Sequence, residues 1–142
     1  MNILILTLLG FTVWTLVVLL GSVGIYRWNQ ILRGNVRIER FRANDDMGNE
    51  FYRRSMRAHA NCVENLPVYS AIVLAACILQ ISGNFMSCLA VIFLAARICQ
   101  TFVHITFVET GMSVGIRFGF FLIQIVCMLS MATYILFQMP LT

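Results

Sequence analysis

Three polar side chains at helical spacing stand at the start of the second apolar stretch of this sequence. Arg57, Asn61 and Glu64 are four and three residues apart, so they share one face of a helix. A guanidinium group binds a carboxylate through two parallel hydrogen bonds, and a carboxylate pairs with an ammonium group. At the end of a membrane helix, burying such a polar face costs free energy unless a ligand or another residue binds it. It therefore predicts a site for a small zwitterionic or anionic ligand.

A second polar face interrupts the third apolar stretch. Arg97 lies about twelve residues into that stretch, and Gln100, Thr101 and His104 follow it on the same helical face. A charge at this depth costs several kcal/mol unless it is paired or solvated, so we expect Arg97 to face the interior of a helix bundle. Two compatible interpretations stay open. Arg97 pairs with Glu64 as its counter-charge, or the same groups line a ligand pocket.

A third cation, Arg117, stands directly before the fourth apolar stretch, where Glu109 is the nearest acidic residue. It is either an interfacial arginine that extends to the lipid headgroups or a further cation of the pocket. The two histidines, His59 and His104, are isolated and lack the further ligands that a metal site needs. The five cysteines stand singly, so neither a disulfide framework nor a metal site is predicted.

The composition is typical of a membrane protein. Of the 142 residues, 60% are hydrophobic and 11% are charged, and the mean hydropathy is +0.85. A soluble domain carries about 25% charged residues. The net charge of +4 is carried by arginine without any lysine, and most of the arginines fall in the polar stretch 27–59. Because they form no long basic stripe, we expect no nucleic-acid partner.

The predicted fold class is all-α, an integral membrane four-helix bundle. Four apolar stretches, taken with their flanks, are long enough to cross about 30 Å of hydrocarbon. The first has no basic leader and no evident cleavage site, so we expect a retained helix rather than a signal peptide. Pro67 is expected to kink the second helix. We predict a single membrane domain over 1–142, with helices at about 3–37, 53–81, 85–108 and 114–139 and a loop at about 38–52.

The arginine-rich stretch 27–59 predicts the topology. Positive residues favour the cytoplasmic side, so both termini are expected on the opposite side. The head of helix 2, the late part of helix 3 and the head of helix 4 then share the cytoplasmic half. We therefore expect the polar groups of all three helices to converge at one end of the bundle.

The stretch Arg57-Ala58-His59-x-Asn61-x-x-Glu64 resembles the signature of the MAPEG family, the membrane-associated proteins in eicosanoid and glutathione metabolism. The resemblance covers nearly the whole chain in length, number of spans and polar first loop, and the chain looks most like the microsomal glutathione transferases. The preference for arginine over lysine and the short loops resemble the bacterial branch. Three further places are similar to the family: Gly34-Asn35-Val36-Arg37, Ala96-Arg97 and Arg117.

The resemblance implies a homotrimer of four-helix bundles. Glutathione would lie between subunits and open to the cytoplasm, and an apolar substrate would enter from the membrane. Arg117 would face the sulfur. His104 is a candidate pocket residue from its helical spacing with Arg97, not from the resemblance. The remaining implied contacts are Arg57, Asn61 and Glu64 from helix 2, Arg97 in support from helix 3, and Arg37 from the end of helix 1 of a neighbouring subunit.

The implied function is a glutathione-dependent transferase that conjugates lipophilic electrophiles or reduces peroxides. Arg117 would stabilise the thiolate of glutathione as the catalytic residue. Ala60 stands where several eicosanoid-making relatives have a second arginine, so the resemblance implies glutathione binding without a particular eicosanoid product. Two alternatives remain. One is a non-catalytic, lipid-binding membrane scaffold of the lipoxygenase-activating-protein type, and the other is a small channel.

Overall fold

Four helices make up the described part of the chain. The computed structural model describes residues 2–34, 49–108 and 110–139. Each helix is long and apolar enough to cross a membrane, and the described residues contain no strand, so the prediction of an all-α membrane bundle is confirmed. The helices are α1 (Ile3–Leu32), α2 (Glu50–Ile78), α3 (Asn84–Thr106) and α4 (Gly111–Gln138).

The helix ends differ from the predicted ones by a few residues because local capping decides them. α1 ends at Leu32 rather than near 37, and Gly34 follows with a φ of 69° in the left-handed region. α2 begins before Arg53, at Glu50, because the side chain of Asn49 accepts a hydrogen bond from the Tyr52 amide at 2.9 Å. Arg37 and the predicted loop up to residue 48 lie outside the described residues.

The other helix ends have equally local causes. α2 ends at Ile78, three residues before the predicted end, and Gln80 follows with a φ of 56°. α4 begins at Gly111 rather than near 114 because Thr110 and Ser113 form a reciprocal capping box. Between these ends α2 stays one continuous α-helix through Pro67, and the kink expected there stays a prediction.

A π-helical turn interrupts α1 at Leu19–Gly24, between α-helical segments Ile3–Val18 and Ile25–Leu32. The wider turn brings both Ser22 and Val23 into buried positions. It also favours a glycine, since a Cβ on Gly24 would lie 3.2 Å from the Leu19 carbonyl oxygen, a tight contact. No periodic pattern in the sequence predicts this turn.

Three aromatic rings from three different helices meet in the core. Phe11, Tyr69 and Phe93 are fully buried. The Tyr69 and Phe93 rings stack with centroids 4.0 Å apart, and Phe11 meets both rings edge-on at 6.0 and 5.4 Å. Such pairs stabilise a core beyond the area that they bury. This cluster fixes α1, α2 and α3 against one another below the polar end of the bundle.

The Tyr69 hydroxyl is also held across helices. Thr7 Oγ1 donates to the Leu4 carbonyl at 2.9 Å, so the Tyr69 hydroxyl, 2.7 Å away, donates to Thr7. Both side chains are buried. A buried hydroxyl that loses its partner is left with its full desolvation cost.

We therefore predict that Thr7→Val lowers the free energy of unfolding in detergent by about 1 to 2 kcal/mol. Thr12→Val is the matched control, because Thr12 bonds only the Leu8 carbonyl of its own helix in the described structure, at 3.0 Å. A denaturant titration measures both variants. Equal losses in the two would show that the Tyr69 contact contributes nothing.

Candidate functional site

One open cleft at the polar end of the bundle gathers side chains from three helices. Its volume is about 340 Å³. Its polar lining comes from α2, α3 and α4, and its apolar lining comes from α4 alone. The lining residues are Arg57, Asn61, Gln100, His104, Val114, Arg117, Phe118 and Phe121.

Helical spacing explains how these side chains reach the same space. Arg57 and Asn61 are one turn apart on α2, and Gln100 and His104 are one turn apart on α3. Arg117 lies in the second turn of α4, which starts at the short connection after α3. The predicted convergence of polar groups from helices 2, 3 and 4 is confirmed within this chain.

Arg117 and His104 contact each other directly in the cleft. Arg117 Nη1 lies 3.0 Å from His104 Nδ1, and both side chains are half-buried. A guanidinium has donors only, so Nδ1 accepts this bond and a neutral His104 carries its proton on Nε2. The pair orients the guanidinium of Arg117 and presents a cation at the cleft surface.

Below the cleft, the amide of Gln100 connects α3 to α4. Gln100 Nε2 donates to the Arg117 carbonyl at 2.9 Å. Its Oε1 accepts from Gln124 Nε2 at 3.0 Å and from Arg97 Nη1 at 3.1 Å. Gln124 Nε2 also donates to the Phe120 carbonyl at 2.9 Å. Both amides are buried, so these bonds form away from water and hold the backbone under Arg117 in one position.

Arg97 lies beneath the cleft and does not line it. It is 1% exposed, and its Nη1 donates to Gln100 and, at 3.4 Å, to the Asn61 carbonyl. Its guanidinium carbon lies 5.5 Å from the centre of the Phe11 ring. Its Nε and Nη2 atoms have no hydrogen-bond partner in the described structure. The buried cation is therefore held by neutral dipoles and an aromatic face.

The predicted ion pair between Arg97 and Glu64 is wrong within this chain. No nitrogen of Arg97 comes within 4.0 Å of a Glu64 oxygen, and Glu64 is exposed. The reason is the rotation of α2. The helix turns its buried side, with Cys62 and Asn65, towards the bundle, and Glu64 stays on the exposed surface of α2.

Comparison with protein families identifies the family of this chain. The MAPEG family profile matches residues 4–137, which is nearly the whole chain. The chain belongs to the MAPEG family. This MAPEG protein is therefore an integral, multi-pass membrane protein of the glutathione and eicosanoid metabolism type. Neither the comparison with curated proteins nor the comparison with solved structures gave a match.

The predicted site residues of this MAPEG protein fall into four groups. Four of them line the cleft together: Arg57, Asn61, His104 and Arg117. Arg97 lies underneath, and Glu64 stays on the exposed surface of α2. Arg37 lies outside the described residues. Within the described ranges, no three His, Cys, Asp or Glu side chains lie close enough to hold a metal ion.

Sequence reasoning missed Gln124. It is a lone amide in the middle of the uncharged fourth span, and it is fully buried. A polar side chain at that depth is expensive unless it is bonded, so its position was the available signal. In this MAPEG protein the partner is Gln100 on the adjacent helix.

These bonds predict a specific coupling. Gln100→Leu removes the side-chain acceptor of buried Arg97, so the free energy of unfolding should fall by about 3 kcal/mol. Adding Arg97→Met removes the stranded charge, so the double variant should be more stable than Gln100→Leu alone. Gln138→Leu, at an exposed amide on the same α4 helix as Gln124, is the control for the loss of a polar group.

Denaturant titration of the purified protein in one detergent gives all four free energies. A double variant that is less stable than Gln100→Leu would show that Arg97 does not depend on this amide.

Proposed function

We propose that this MAPEG protein is a membrane transferase that joins glutathione to lipophilic electrophiles. The observation that carries the proposal is the cleft of about 340 Å³ with Arg57, Asn61, His104 and Arg117 around it. Glutathione presents carboxylates, an ammonium group and a thiol. Guanidinium groups suit the carboxylates, and an amide can both donate and accept.

In this proposal Arg117 is the catalytic residue. A free thiol has a pKa of about 8.5, and a neighbouring cation lowers that pKa because it stabilises the thiolate. His104 accepts a hydrogen bond from Arg117 at 3.0 Å and so holds the guanidinium in one orientation. Binding in the cleft holds the thiol in position for attack, which lowers the entropy cost of its encounter with the co-substrate.

The chemistry needs no protein nucleophile. The thiol loses its proton to water, and the thiolate attacks the electrophilic carbon of the co-substrate. A carbon–sulfur bond forms while the leaving group departs with its electron pair. Val114, Phe118 and Phe121 provide an apolar side of the same cleft for that co-substrate, which would arrive from the bilayer.

The family resemblance adds a homotrimer to the proposal. The exposure of Glu64 fits this arrangement, because a carboxylate on the outer surface of α2 can meet a ligand held between subunits. Glu64 would take the ammonium group of glutathione, and Arg37 would come from a neighbouring chain. The arginine-rich stretch would face the cytoplasm.

A second candidate is a non-catalytic membrane scaffold that binds a lipid. The observation that favours it is the apolar side of the cleft, where Val114, Phe118 and Phe121 would accept an acyl chain as readily as a reactive substrate. The two candidates differ in one respect that can be measured, since only the transferase turns over glutathione.

Purified protein with glutathione and a chromogenic aryl halide tests the proposal. We expect conjugation above the uncatalysed rate, and we expect Arg117→Ala to lower kcat by about 100-fold because it removes the charge that stabilises the thiolate. The pH profile of kcat should move to higher pH in Arg117→Ala, towards the pKa of about 8.5 of a free thiol.

Arg33→Ala is the matched control. Arg33 is exposed at the end of α1, and it lies outside the cleft. An Arg117→Ala protein that conjugates as fast as the parent, with the same pH profile, would remove Arg117 from catalysis. No conjugation or peroxide reduction by the parent itself would favour the scaffold.

A further inference from the structure

A second polar cleft lies at the head of α2, beside the site already described. Its volume is about 270 Å³, and its lining is Glu50, Arg53, Arg54, Arg57 and Val108. Glu50 is the sole acid in this lining, and it lies 3.6 Å from Arg54 Nη1. The Arg53 side chain forms no hydrogen bond or ion pair within the described ranges. The cleft therefore carries a local excess of positive charge that suits an anion.

An apolar groove of about 230 Å³ runs between α1 and α3. Its lining includes Trp14, Val18, Gly21, Phe51, Phe102 and Ile105. The π-helical turn at Leu19–Gly24 forms part of its wall on α1. Between Trp14 and Ser22 the groove follows about 12 Å of that helix. This shape fits an extended acyl chain.

The basic cleft and the apolar groove meet at Arg54. Arg54 Nε donates to the Ile105 carbonyl at 3.3 Å, and Ile105 lines the groove. On α2, Glu50 faces the cleft while the next residue, Phe51, faces the groove. The charged space lies at the head of α2, and the groove lies beside it between α1 and α3. The two spaces therefore form one amphipathic surface.

We propose that this surface binds one anionic phospholipid of the surrounding bilayer. Its phosphate lies against Arg53 and Arg54, and one acyl chain lies in the groove between α1 and α3. An anionic headgroup matches the excess of guanidinium groups, which attract anionic lipid at a membrane surface. Only a ligand with an apolar chain uses the groove. This lipid is a resident of the protein. The two clefts share Arg57, and the phosphate contacts of the lipid are Arg53 and Arg54.

Native mass spectrometry of the purified protein tests the proposal with two probes. Dioleoyl phosphatidylglycerol and dioleoyl phosphatidylcholine have the same chains and differ in headgroup charge. We expect one phosphatidylglycerol per chain, retained about tenfold more strongly than phosphatidylcholine. The double variant Arg53→Gln/Arg54→Gln should lose this preference, whereas Arg33→Ala should keep it.

A groove-filling variant tests the apolar half separately. A Cβ on Gly21 would meet no atom within 4 Å, so Gly21→Leu can be accommodated and its side chain would occupy the groove. We expect Gly21→Leu to weaken retention of both lipids. Gly115→Leu, at an open glycine on α4 outside the groove, should not change it. Thermal unfolding in detergent verifies that each variant is folded.

Four results would overturn the proposal. The first is equal retention of the two lipids by the parent. The second is an unchanged preference in a folded Arg53→Gln/Arg54→Gln variant, and the third is unchanged retention in a folded Gly21→Leu variant. A soluble competitor, glycerol 3-phosphate, distinguishes the source of the anion. If it displaces phosphatidylglycerol completely at equal concentration, the site takes phosphate alone and the groove has no role.

Discussion

A buried arginine that has no acidic partner among the described residues is the constraint on which the polar end of this bundle depends. Arg97 is 1% exposed, and its bonds go to the Gln100 amide and the Asn61 carbonyl. A charge in such surroundings is tolerated only where dipoles point at it. The guanidinium therefore requires the Gln100 oxygen to face it, so the Gln100 nitrogen must donate to another acceptor. That donor reaches the Arg117 carbonyl at 2.9 Å.

This constraint separates two kinds of cation in the same region. Arg97 is enclosed and orders the helices around it, while Arg57 and Arg117 reach the open cleft. A site that binds charged ligands needs cations held in place before the ligand arrives, because reorganisation would cost binding energy. The buried amide of Gln100 holds the backbone of Arg117 in place, and His104 holds its side chain through the bond to the guanidinium.

The sequence predicts the parts of the structure that follow from periodicity and length. Apolar runs indicated the four spans, and four-residue spacing placed Arg57 beside Asn61. Helix ends were less predictable, because one side chain such as Asn49 moves a start by a full turn. Glu64 shows the limit of sequence arguments: it was the acid next to the neighbouring span and so a candidate counter-charge for Arg97, but the packing of α2 leaves it on the exposed surface. Neither the bonding of Gln124 nor the π-helical turn could be predicted, because both depend on contacts between helices and not on the pattern within one span.

In the proposed transferase, the cleft around Arg57, Asn61, His104 and Arg117 holds glutathione. Calorimetric titration of glutathione into the purified protein in detergent tests it most directly. We expect saturable binding by the parent and by Arg33→Ala. In Arg57→Ala the dissociation constant should be at least tenfold larger, since a charge-assisted bidentate contact is lost. No heat of binding at millimolar glutathione, or equal affinity in Arg57→Ala and the parent, would contradict it.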